Sequence, residues 1–530
     1  MIACGPGKES PDAADGGSVM DVNDGLGFVL GQPPLLQTDM PFNPFRSDRQ
    51  SLHGVYEVVK TILMLPVFVV RILMMVLCLL LGYVFTKLAL LGAKDVLKKP
   101  FPKWRRQLFW PVRLLARSLL FSCGFQWISI KGRPVARDQA PILVCNHVTF
   151  ADPVFIFYQH LPVIVTAQEN LGLPIVGAIL RAMQVICVNR VVQDSRRIAA
   201  GEIKRRARCN DWSSLMIFPE ATTTNGKVLV SFKAGAFAPG YPVQPMVVRY
   251  PHLHVDPAWV ALGASTPLLF FRLLTQFHNF MEVEYLPVIE PTFKEQCFPR
   301  AFADRVRLSM AKALNVMITE HSYEDVALTL EALKSKDYSG SAVLEFGKFE
   351  KLFRLNIKEA KRYLSKFHQY DTDHKGRATF EDFQSWMELP NCPALQKSFH
   401  LFDRPSNGYF NFRQYTLGLA FVSKHSRFKE AIEALYTFCD RDKDGLLGRE
   451  EIEDSFVDLI PSITKEQVER VWQKIDSNDA HFANKVEFFS FLENHPEYIV
   501  VFLFARPNLI SISKEEKDRD YVNVNGKLAD

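Results

Sequence analysis

A histidine and an aspartate follow a short apolar run in the first third of the chain. His147 and Asp152 come after residues 141–144, which have the composition of a buried strand. A neutral imidazole at a strand end can take a proton from an alcohol, and a nearby carboxylate can orient the ring and stabilise the cation that forms. On one continuous helix, which repeats about every 3.6 residues, this spacing would point the two side chains apart. The pair therefore predicts a loop that turns into a helix and a general base acting on an alcohol.

Other interpretations of these residues stay open. Asp152 followed by Pro153 is a good helix start, and a single histidine is often structural. Cys145 is an alternative nucleophile, although a cysteine within a strand usually acts as a small buried hydrophobic residue. A second polar cluster, FPEAT at residues 218–222, also follows an apolar run. Two such clusters at strand ends of an α/β pattern indicate a shared cleft.

These two clusters resemble blocks one and three of the glycerolipid acyltransferases, NHxxxxD and FPEGT. Residues 185–190 and 243–250 resemble blocks two and four. Residues 231–240 and the C-terminal repeats described below are most similar to the lysophosphatidylcholine acyltransferases. The resemblance covers about residues 43–500. It implies transfer of an acyl group from acyl-CoA to the free hydroxyl of a lysophospholipid, at the endoplasmic reticulum membrane or in the Golgi.

The resemblance also suggests roles for single residues. His147 would be the general base and Asp152 would orient it, so that the hydroxyl attacks the thioester without an acyl-enzyme. Arg190 would bind the acceptor phosphate, since a guanidinium pairs with two phosphate oxygens at once; a surface salt bridge is the alternative. Glu220 would position the glycerol backbone or an arginine. Two further substrate-binding candidates are Thr222 and Lys233.

Ala221 departs from the family pattern, which usually has glycine at this position. If the backbone there needs a positive φ, alanine costs on the order of 1 kcal/mol. If glycine only leaves room for substrate, the extra methyl group would narrow the choice of acceptor.

An apolar segment at residues 62–85 predicts a membrane anchor, but Pro66 and Arg71 interrupt it. A spanning helix needs about 20 mostly apolar residues, so a single pass requires Arg71 to be buried or to reach the interface. A re-entrant hairpin bent at Pro66 and a buried core helix are the alternatives. Further on, Arg106, Arg113 and Arg117 share one face of an apolar helical pattern. That pattern predicts an interfacial helix attracted to anionic headgroups, or an ordinary solvated basic face.

Acidic loops between amphipathic helices follow residue 346. Residues 440–451 match the EF-hand pattern, which places oxygen ligands at fixed positions around a glycine. The predicted calcium ligands are the side chains of Asp440, Asp442, Asp444 and Glu451 and the carbonyl of Leu446. Loops 371–382, 403–414 and 476–487 are degraded, with Lys375, Pro405 and His481 at ligand or glycine positions. We expect these loops to serve mainly as structural partners.

Composition limits the function classes. The 63 basic and 58 acidic residues give a net charge of +5, too small for this length to indicate a nucleic-acid partner. Nine scattered cysteines without a CxxC pair predict neither a disulfide framework nor a zinc site.

The predicted fold is an α/β acyltransferase domain with an N-terminal membrane anchor, plus an all-α EF-hand domain. Strands are expected at 141–146, 184–189, 214–218, 243–249 and 281–288, and helices at 174–183 and 196–208. The predicted regions are a disordered 1–55, an anchor at 56–92, an acyltransferase domain at 93–325, a linker at 326–345, an EF-hand domain at 346–500 and a tail at 501–530.

Three functions remain in view. The first is a membrane-bound acyl-CoA:lysophospholipid acyltransferase whose activity calcium could modulate. Transfer of an acetyl group is a variant of this function. The second is a calcium-binding membrane protein with a weakened catalytic domain, which Ala221 favours. The third is a lysophosphatidic acid or glycerol-3-phosphate acyltransferase, which the EF-hand half disfavours.

Overall fold

The computed structural model describes residues 42–47, 54–93, 96–189, 193–252, 254–335, 342–371, 373–476 and 478–510. The chain forms two compact units. We call Asp39–Lys361 the N-terminal unit and the part that begins at Arg362 the C-terminal unit.

A seven-stranded sheet lies at the centre of the N-terminal unit. The strands of this unit are β1 (Ile128–Lys131), β2 (Ile142–Cys145), β3 (Val163–Ala167), β4 (Ile186–Val188), β5 (Leu215–Ile217), β6 (Val228–Leu229), β7 (Val243–Arg249), β8 (Met281–Tyr285) and β9 (Met317–Ile318). The sheet order is β1-β8-β7-β2-β5-β3-β4, and all neighbours are parallel except β7 and β8. The five predicted strands are confirmed. Strands β1 and β3 were not predicted.

Helices cover both faces of the sheet. They are α1 (Val55–Leu90), α2 (Lys103–Gln107), α3 (Trp110–Ser122), α4 (Ala151–His160), α5 (Pro174–Ala182), α6 (Gln193–Arg208), α7 (Thr266–Leu274), α8 (Phe293–Cys297), α9 (Pro299–Leu314), α10 (Tyr323–Lys334) and α11 (Phe346–Phe353). Side chains alternate along β2, so Leu143 packs on the face covered by α3 and α4, and Val144 packs on the face covered by α6 and α9. This double layer explains the uninterrupted apolar run before His147.

Helix α1 is continuous through Pro66, so the alternative of a re-entrant hairpin bent at that proline is wrong. Its 36 residues extend for about 54 Å. Arg71 is buried because its guanidinium donates to the carbonyls of Leu274 at 2.8 Å and Phe277 at 3.1 Å. Among the described residues, α1 is the helix long and apolar enough to cross a membrane. Most of its large apolar side chains are exposed.

The predicted basic face formed by Arg106, Arg113 and Arg117 is wrong for Arg113 and Arg117. Arg113 donates to the carbonyls of Tyr158 at 2.7 Å and Gln159 at 2.9 Å, where α4 ends. Arg117 donates to the carbonyl of Gln126 at 2.7 Å. The last carbonyls of a helix lack partners within that helix, and Arg113 satisfies two of them, whereas Arg117 binds the turn that follows α3. These arginines hold elements together and do not form a free surface for headgroups.

Residues 42–47, which we call the N-terminal clamp, pack against the N-terminal unit. Phe45 is fully buried among Val228, Val230 and Val326. The expectation of disorder through residue 55 is therefore wrong for the clamp, because this aromatic side chain finds an apolar pocket. Residues 1–41 lie outside the described residues.

The C-terminal unit is made of helices joined by loops. Its elements are α12 (Ile357–Tyr370, which crosses the unit boundary), β10 (Arg377–Thr379), α13 (Phe380–Met387), α14 (Pro393–Phe402), β11 (Tyr409–Asn411), α15 (Phe412–Ser423), α16 (Phe428–Cys439), β12 (Leu446–Gly448), α17 (Arg449–Leu459), α18 (Lys465–Ile475), β13 (Phe482–Asn484), α19 (Lys485–Asn494) and α20 (Pro496–Ala505). Short antiparallel pairs, β10 with β11 and β12 with β13, join the loops two by two.

Two predicted boundaries differ from the structure. The expected linker at 326–345 contains most of α10, whose apolar residues Val326, Leu328 and Ala332 are buried. The expected tail from residue 501 begins inside α20, which is buried along nearly its whole length. In both places an apolar helix packs into a core, which composition near a boundary does not reveal. Residues 511–530 lie outside the described residues.

Candidate active site

His147 lies just beyond the carboxyl end of β2, the central strand of the sheet. Asn146 follows β2, and its side-chain amide bridges to β7: the amide nitrogen donates to the carbonyl of Val248 at 2.9 Å, and the amide oxygen accepts from the Val248 N–H at 2.8 Å. The side chain thereby continues the strand pairing beyond the last residue of β2. In an open α/β sheet, functional groups collect at this edge.

Asp152 lies in the first turn of α4 and is completely buried. The His147 Nδ1–H donates to its Oδ2 at 2.9 Å. The same oxygen accepts the N–H groups of Val148 at 2.7 Å and Thr149 at 2.9 Å. Because the carboxylate is an acceptor here, the ring proton lies on Nδ1 and the lone pair lies on Nε2. The histidine side chain is 18% exposed, so this nitrogen can reach a substrate.

Glu220 is completely buried and contacts the backbone of His147. Its Oε1 accepts the backbone N–H of His147 at 2.8 Å. Burial raises the pKa of this carboxyl to about 8, although the N–H groups of His147 and Val230 act in the opposite direction. Glu220 is not among the residues that line the cavity described below, and its contact is with the backbone of the loop that contains His147. Phe218 fixes the imidazole ring from one side, with ring centres 4.1 Å apart.

Ala221 has a φ of +58°, in the left-handed region. The first of the two explanations for glycine in this block therefore applies, because the turn requires a positive φ. Its backbone N–H donates to the carbonyl of Phe218 at 3.1 Å and closes the turn. Alanine maintains this turn at an energetic cost.

The remaining predicted substrate contacts differ in placement. Lys233 lines the same cavity as His147, and its ammonium contacts Glu324 Oε2 at 2.6 Å. Thr222 donates weakly to the carbonyl of Thr223, at 3.4 Å, and is not among the residues that line the cavity. Arg190 lies outside the described residues.

A cavity of about 850 Å³ opens onto His147. Much of its lining is apolar and comes from α1, α3, α4 and α5, including Met75, Leu79, Leu115, Phe157 and Ile179. A second group of lining residues is charged: Lys233, Arg300, Asp304, Glu324, Glu350 and Lys351. The cavity thus combines an apolar surface that suits hydrocarbon chains with charged groups and His147.

Cys145 is not a nucleophile in this geometry. Its thiol is fully buried in the sheet. Burial raises its pKa well above the usual value, and the charges of Asp152 and Glu220 raise it further. A thiol held in its protonated form has little nucleophilic character.

Comparison with known proteins shows the family. The acyltransferase family profile matches residues 128–249. The chain is 39% identical over 477 residues to the lysophospholipid acyltransferase LPEAT2 of Arabidopsis thaliana, covering 90% of this chain and 88% of that protein. It is 32% identical over 490 residues to lysophosphatidylcholine acyltransferase 2 of Homo sapiens, covering 90% and 89%. It is 31% identical over 444 residues to lysophosphatidylcholine acyltransferase 1 of Danio rerio, covering 83% and 84%.

The chain belongs to the lysophospholipid acyltransferase family. It is an acyltransferase, as the sequence predicts, and lysophospholipid acylation is the activity that its relatives' names carry.

A residue that sequence reasoning missed is Tyr250, whose hydroxyl donates to Asp152 Oδ1. It ends the segment that resembles block four, but nothing in the linear order connects it to an aspartate 98 residues earlier. The loop 224–226 was missed as well. The Thr224 N–H donates to the His147 carbonyl at 2.9 Å, and the Asn225 N–H donates to the carbonyl of Pro44 in the N-terminal clamp at 2.9 Å.

A second candidate site lies in the loop between α16 and α17 of this acyltransferase. One carboxylate oxygen from each of Asp440, Asp442 and Asp444 lies within 4.8 Å of the others, so together they could hold a metal ion. Asp440 Oδ1 is buried without a hydrogen-bond partner, as expected of a ligand atom that awaits a cation. Glu451 accepts the Arg441 N–H at 3.1 Å and closes the loop.

Loop 371–382 has a different arrangement. The Lys375 ammonium contacts Asp373 Oδ2 at 2.6 Å. Asp371 accepts the N–H groups of Lys375 at 2.9 Å and Gly376 at 2.8 Å. A positive side chain thus lies against a carboxylate that the loop pattern would give to a metal.

Proposed function

We propose that this protein is a membrane-bound acyltransferase that uses acyl-CoA to acylate the free hydroxyl of a lysophospholipid such as lysophosphatidylcholine. The observation that carries the proposal is the His147–Asp152 pair at the mouth of a large, mainly apolar cavity. A histidine with a buried carboxylate on Nδ1 has its Nε2 lone pair available for a substrate proton. An apolar cavity beside it suits a substrate with a long hydrocarbon chain.

In the proposed reaction, Nε2 of His147 takes the proton of the lysophospholipid hydroxyl. The oxygen attacks the thioester carbonyl, the new ester bond forms and the carbon–sulfur bond breaks. The proton on the imidazolium passes to the leaving thiolate, which departs as coenzyme A. Asp152 stabilises the imidazolium in between. No residue forms a covalent bond with the acyl group, which agrees with the buried and protonated state of Cys145.

Membrane association is proposed to involve α1 and the segment that follows it. The exposed face of α1 is almost entirely apolar, and α2 and α3 add exposed Trp104, Leu108 and Trp110. Tryptophan is enriched where protein meets the membrane interface. The burial of Arg71 against the 274–277 loop removes the main obstacle to placing α1 in lipid. The proposed compartment is the endoplasmic reticulum.

The C-terminal unit is proposed to contain EF-hands, with calcium bound at loop 440–451. Its support is the cluster of three carboxylates, the unpartnered Asp440 Oδ1 and the pairing of β12 with β13, which joins two loops in the way EF-hands join. Leu446 would add its carbonyl and Glu451 its carboxylate. The other loops would act as structural partners, and calcium would modulate the enzyme.

The proposed function is tested with purified protein in lipid nanodiscs. Labelled palmitoyl-CoA and acetyl-CoA are offered with lysophosphatidylcholine, lysophosphatidylethanolamine, lysophosphatidic acid and glycerol 3-phosphate. We expect acylation of a lysophospholipid and a loss of at least a hundredfold in His147→Ala, in line with the usual contribution of a general base of about 10²–10⁴. Retention of more than a tenth of activity in this variant would exclude the mechanism. Turnover with glycerol 3-phosphate alone, or with no acceptor, would exclude the substrate class.

A further inference from the structure

The buried carboxylate of Asp152 has two oxygens with different surroundings. Oδ2 accepts from His147 and from the backbone N–H groups of Val148 and Thr149. Oδ1 accepts from the Tyr250 hydroxyl. Val148 and Thr149 belong to the loop that also contains His147. Tyr250 directly follows β7 and binds the other oxygen of the carboxylate.

We propose that Tyr250 is a positioning residue for catalysis: its hydroxyl holds the Asp152 carboxylate in the orientation that fixes the His147 ring and limits how strongly this carboxylate attracts the proton on the ring. The inference depends on the proposed function, since it adds a residue to the same general-base mechanism. Tyr250 acts through Asp152 and does not touch the substrate.

The environment keeps Tyr250 in the role of donor. It is largely buried, with Phe125 packed edge-on at 5.8 Å. Burial raises the pKa of its hydroxyl well above the usual value, and the charge of Asp152 raises it further. The raised pKa favours the protonated hydroxyl at neutral pH, in which it donates to the carboxylate.

The consequence for catalysis follows from the sharing of one negative charge. A carboxylate that accepts hydrogen bonds on both oxygens spreads its charge over all its donors. When the Tyr250 hydroxyl is lost, more of that charge is directed to His147, and the carboxylate is also free to rotate about its last bond. The ring then binds a proton more strongly and is less well aligned. Within the described part of the chain, Glu220 and Cys145 are further ionisable groups that interact with this carboxylate or with its donors.

Tyr285 provides a matched control on the neighbouring strand. Its hydroxyl and His160 Nε2 are 2.6 Å apart, and His160 ends the helix that Asp152 begins. Tyr250 and Tyr285 thus tie the two ends of α4 to the sheet through buried hydroxyl groups. Substitution of either tyrosine by phenylalanine removes one buried hydrogen bond. Only the bond of Tyr250 is made to the His147–Asp152 pair.

The experiment compares Tyr250→Phe and Tyr285→Phe with the wild type in the lysophospholipid assay. For Tyr250→Phe we expect kcat to fall roughly tenfold, since small losses of alignment have large effects on rate. We expect KM to stay within about twofold, because the substrate is not touched. The acid side of the profile of kcat/KM against pH should move up by about half a pH unit. Tyr285→Phe should retain the kcat and the pH profile of the wild type.

Each result is decisive. If the wild type transfers no acyl group, the proposed function fails. If the wild type is active and Tyr250→Phe has the same kcat and pH profile as the wild type, the role of Tyr250 is refuted. The same conclusion follows if Tyr250→Phe differs from the wild type only as much as Tyr285→Phe does. The pH profile is normalised to each variant's own maximum, so a low yield of folded protein does not affect it. Modification of His147 by diethylpyrocarbonate at different pH values gives the same shift without turnover, and an unshifted modification curve would also refute the inference.

Discussion

At the level of single residues, the position of His147, the proposed general base, depends on groups that take no part in the proposed reaction. Glu220 holds its backbone, Asp152 its ring nitrogen and Phe218 its ring face. The contacts come from two separate parts of the chain, the segment after β5, which contains Phe218 and Glu220, and the first turn of α4, which contains Asp152. A defect at any of them should reach His147 without any contact with substrate.

Ala221→Gly should stabilise the N-terminal unit. Alanine at a φ of +58° is strained by about 1 kcal/mol, which glycine does not experience. We expect the thermal midpoint of the unit to rise by a few degrees and activity to be equal or higher. Ala238→Gly is the control, because this alanine has an ordinary backbone conformation and glycine there should lower the midpoint. Equal effects of both substitutions would show that the turn at residue 221 is unstrained.

Glu220→Gln should change how stability depends on pH. Because the folded-state pKa of Glu220 is about 8, the folded chain keeps a proton that the unfolded chain releases near the ordinary carboxyl pKa. The folded state therefore binds more protons from about pH 5 to pH 8, and this group's contribution to stability falls as pH rises. Glutamine has no such proton. The advantage of the variant over the wild type, measured by denaturant unfolding, should grow from pH 5 to pH 8.

Glu324→Gln is the control for that titration. Burial tends to raise the pKa of Glu324, but the adjacent Lys233 outweighs it and the pKa is lowered. This carboxyl is therefore ionised in both states from pH 5 to pH 8, so the gap between variant and wild type should stay constant. A constant gap for Glu220→Gln as well would contradict the raised pKa.

The sequence places the reacting groups more accurately than the groups that support them. His147 and Asp152 are five residues apart, so their pairing follows from local geometry. Glu220 and Tyr250 meet them only through the order of strands in the sheet, which a single sequence does not state. The arginines after α1 show the same limit, since a basic face and a set of helix-capping side chains have the same spacing.

At the level of secondary structure elements, the N-terminal clamp is the feature that connects most directly to the active site. Its Phe45 carbonyl accepts the Leu262 N–H at 2.8 Å, and its Arg46 carbonyl accepts from the Asn225 side chain at 2.9 Å. Asn225 is next to Thr224, whose N–H holds the His147 carbonyl. The N-terminal clamp is thus connected, through residues 224 and 225, to the backbone of His147.

Phe45→Ala should release the clamp. Truncation of a buried phenylalanine usually costs about 3–5 kcal/mol, a large loss for a segment of six residues whose other contacts are mainly hydrogen bonds. We expect faster hydrogen exchange at residues 42–47 and 224–226 and a several-fold loss of kcat. Phe298→Ala is the control, since this side chain is 69% exposed. Unchanged exchange at 224–226 after loss of Phe45 would show that the clamp does not support the loop.

Strands and helices inside the catalytic domain were predictable where the apolar pattern was strong. The central strands β2 and β5 are buried on both faces and appear as continuous apolar runs, and β7 is buried and mainly apolar apart from Gln244 and Arg249. Edge strand β1 is mostly exposed and lacks such a run. Helix α10 was missed because its sequence follows the domain without a turn signal, although its serine cap and buried face define it in the structure.

At the level of the whole molecule, two units with separate cores divide the work proposed for the protein. The N-terminal unit contains the sheet, the cavity and α1, and the C-terminal unit contains the acidic loops. Calcium bound to loop 440–451 should stabilise the C-terminal unit first, because only the folded loop brings the three aspartates together. At a hundredfold excess over its dissociation constant, a ligand adds about 2.7 kcal/mol to the free energy of unfolding.

Calcium should therefore bind with a stoichiometry of about one per chain and protect residues 436–459 from hydrogen exchange. Asp444→Asn should abolish both effects, since it removes a charge from the cluster of three carboxylates. Asp373→Asn is the matched control. Because the Lys375 ammonium already lies 2.6 Å from the Asp373 carboxylate, we expect this loop to bind no calcium, and the substitution should leave calcium binding unchanged. Titration calorimetry on the full-length protein measures the stoichiometry, and exchange measured peptide by peptide locates the protection. Two bound ions, or an equal loss of binding in Asp373→Asn, would show that the lysine does not keep calcium out of its loop.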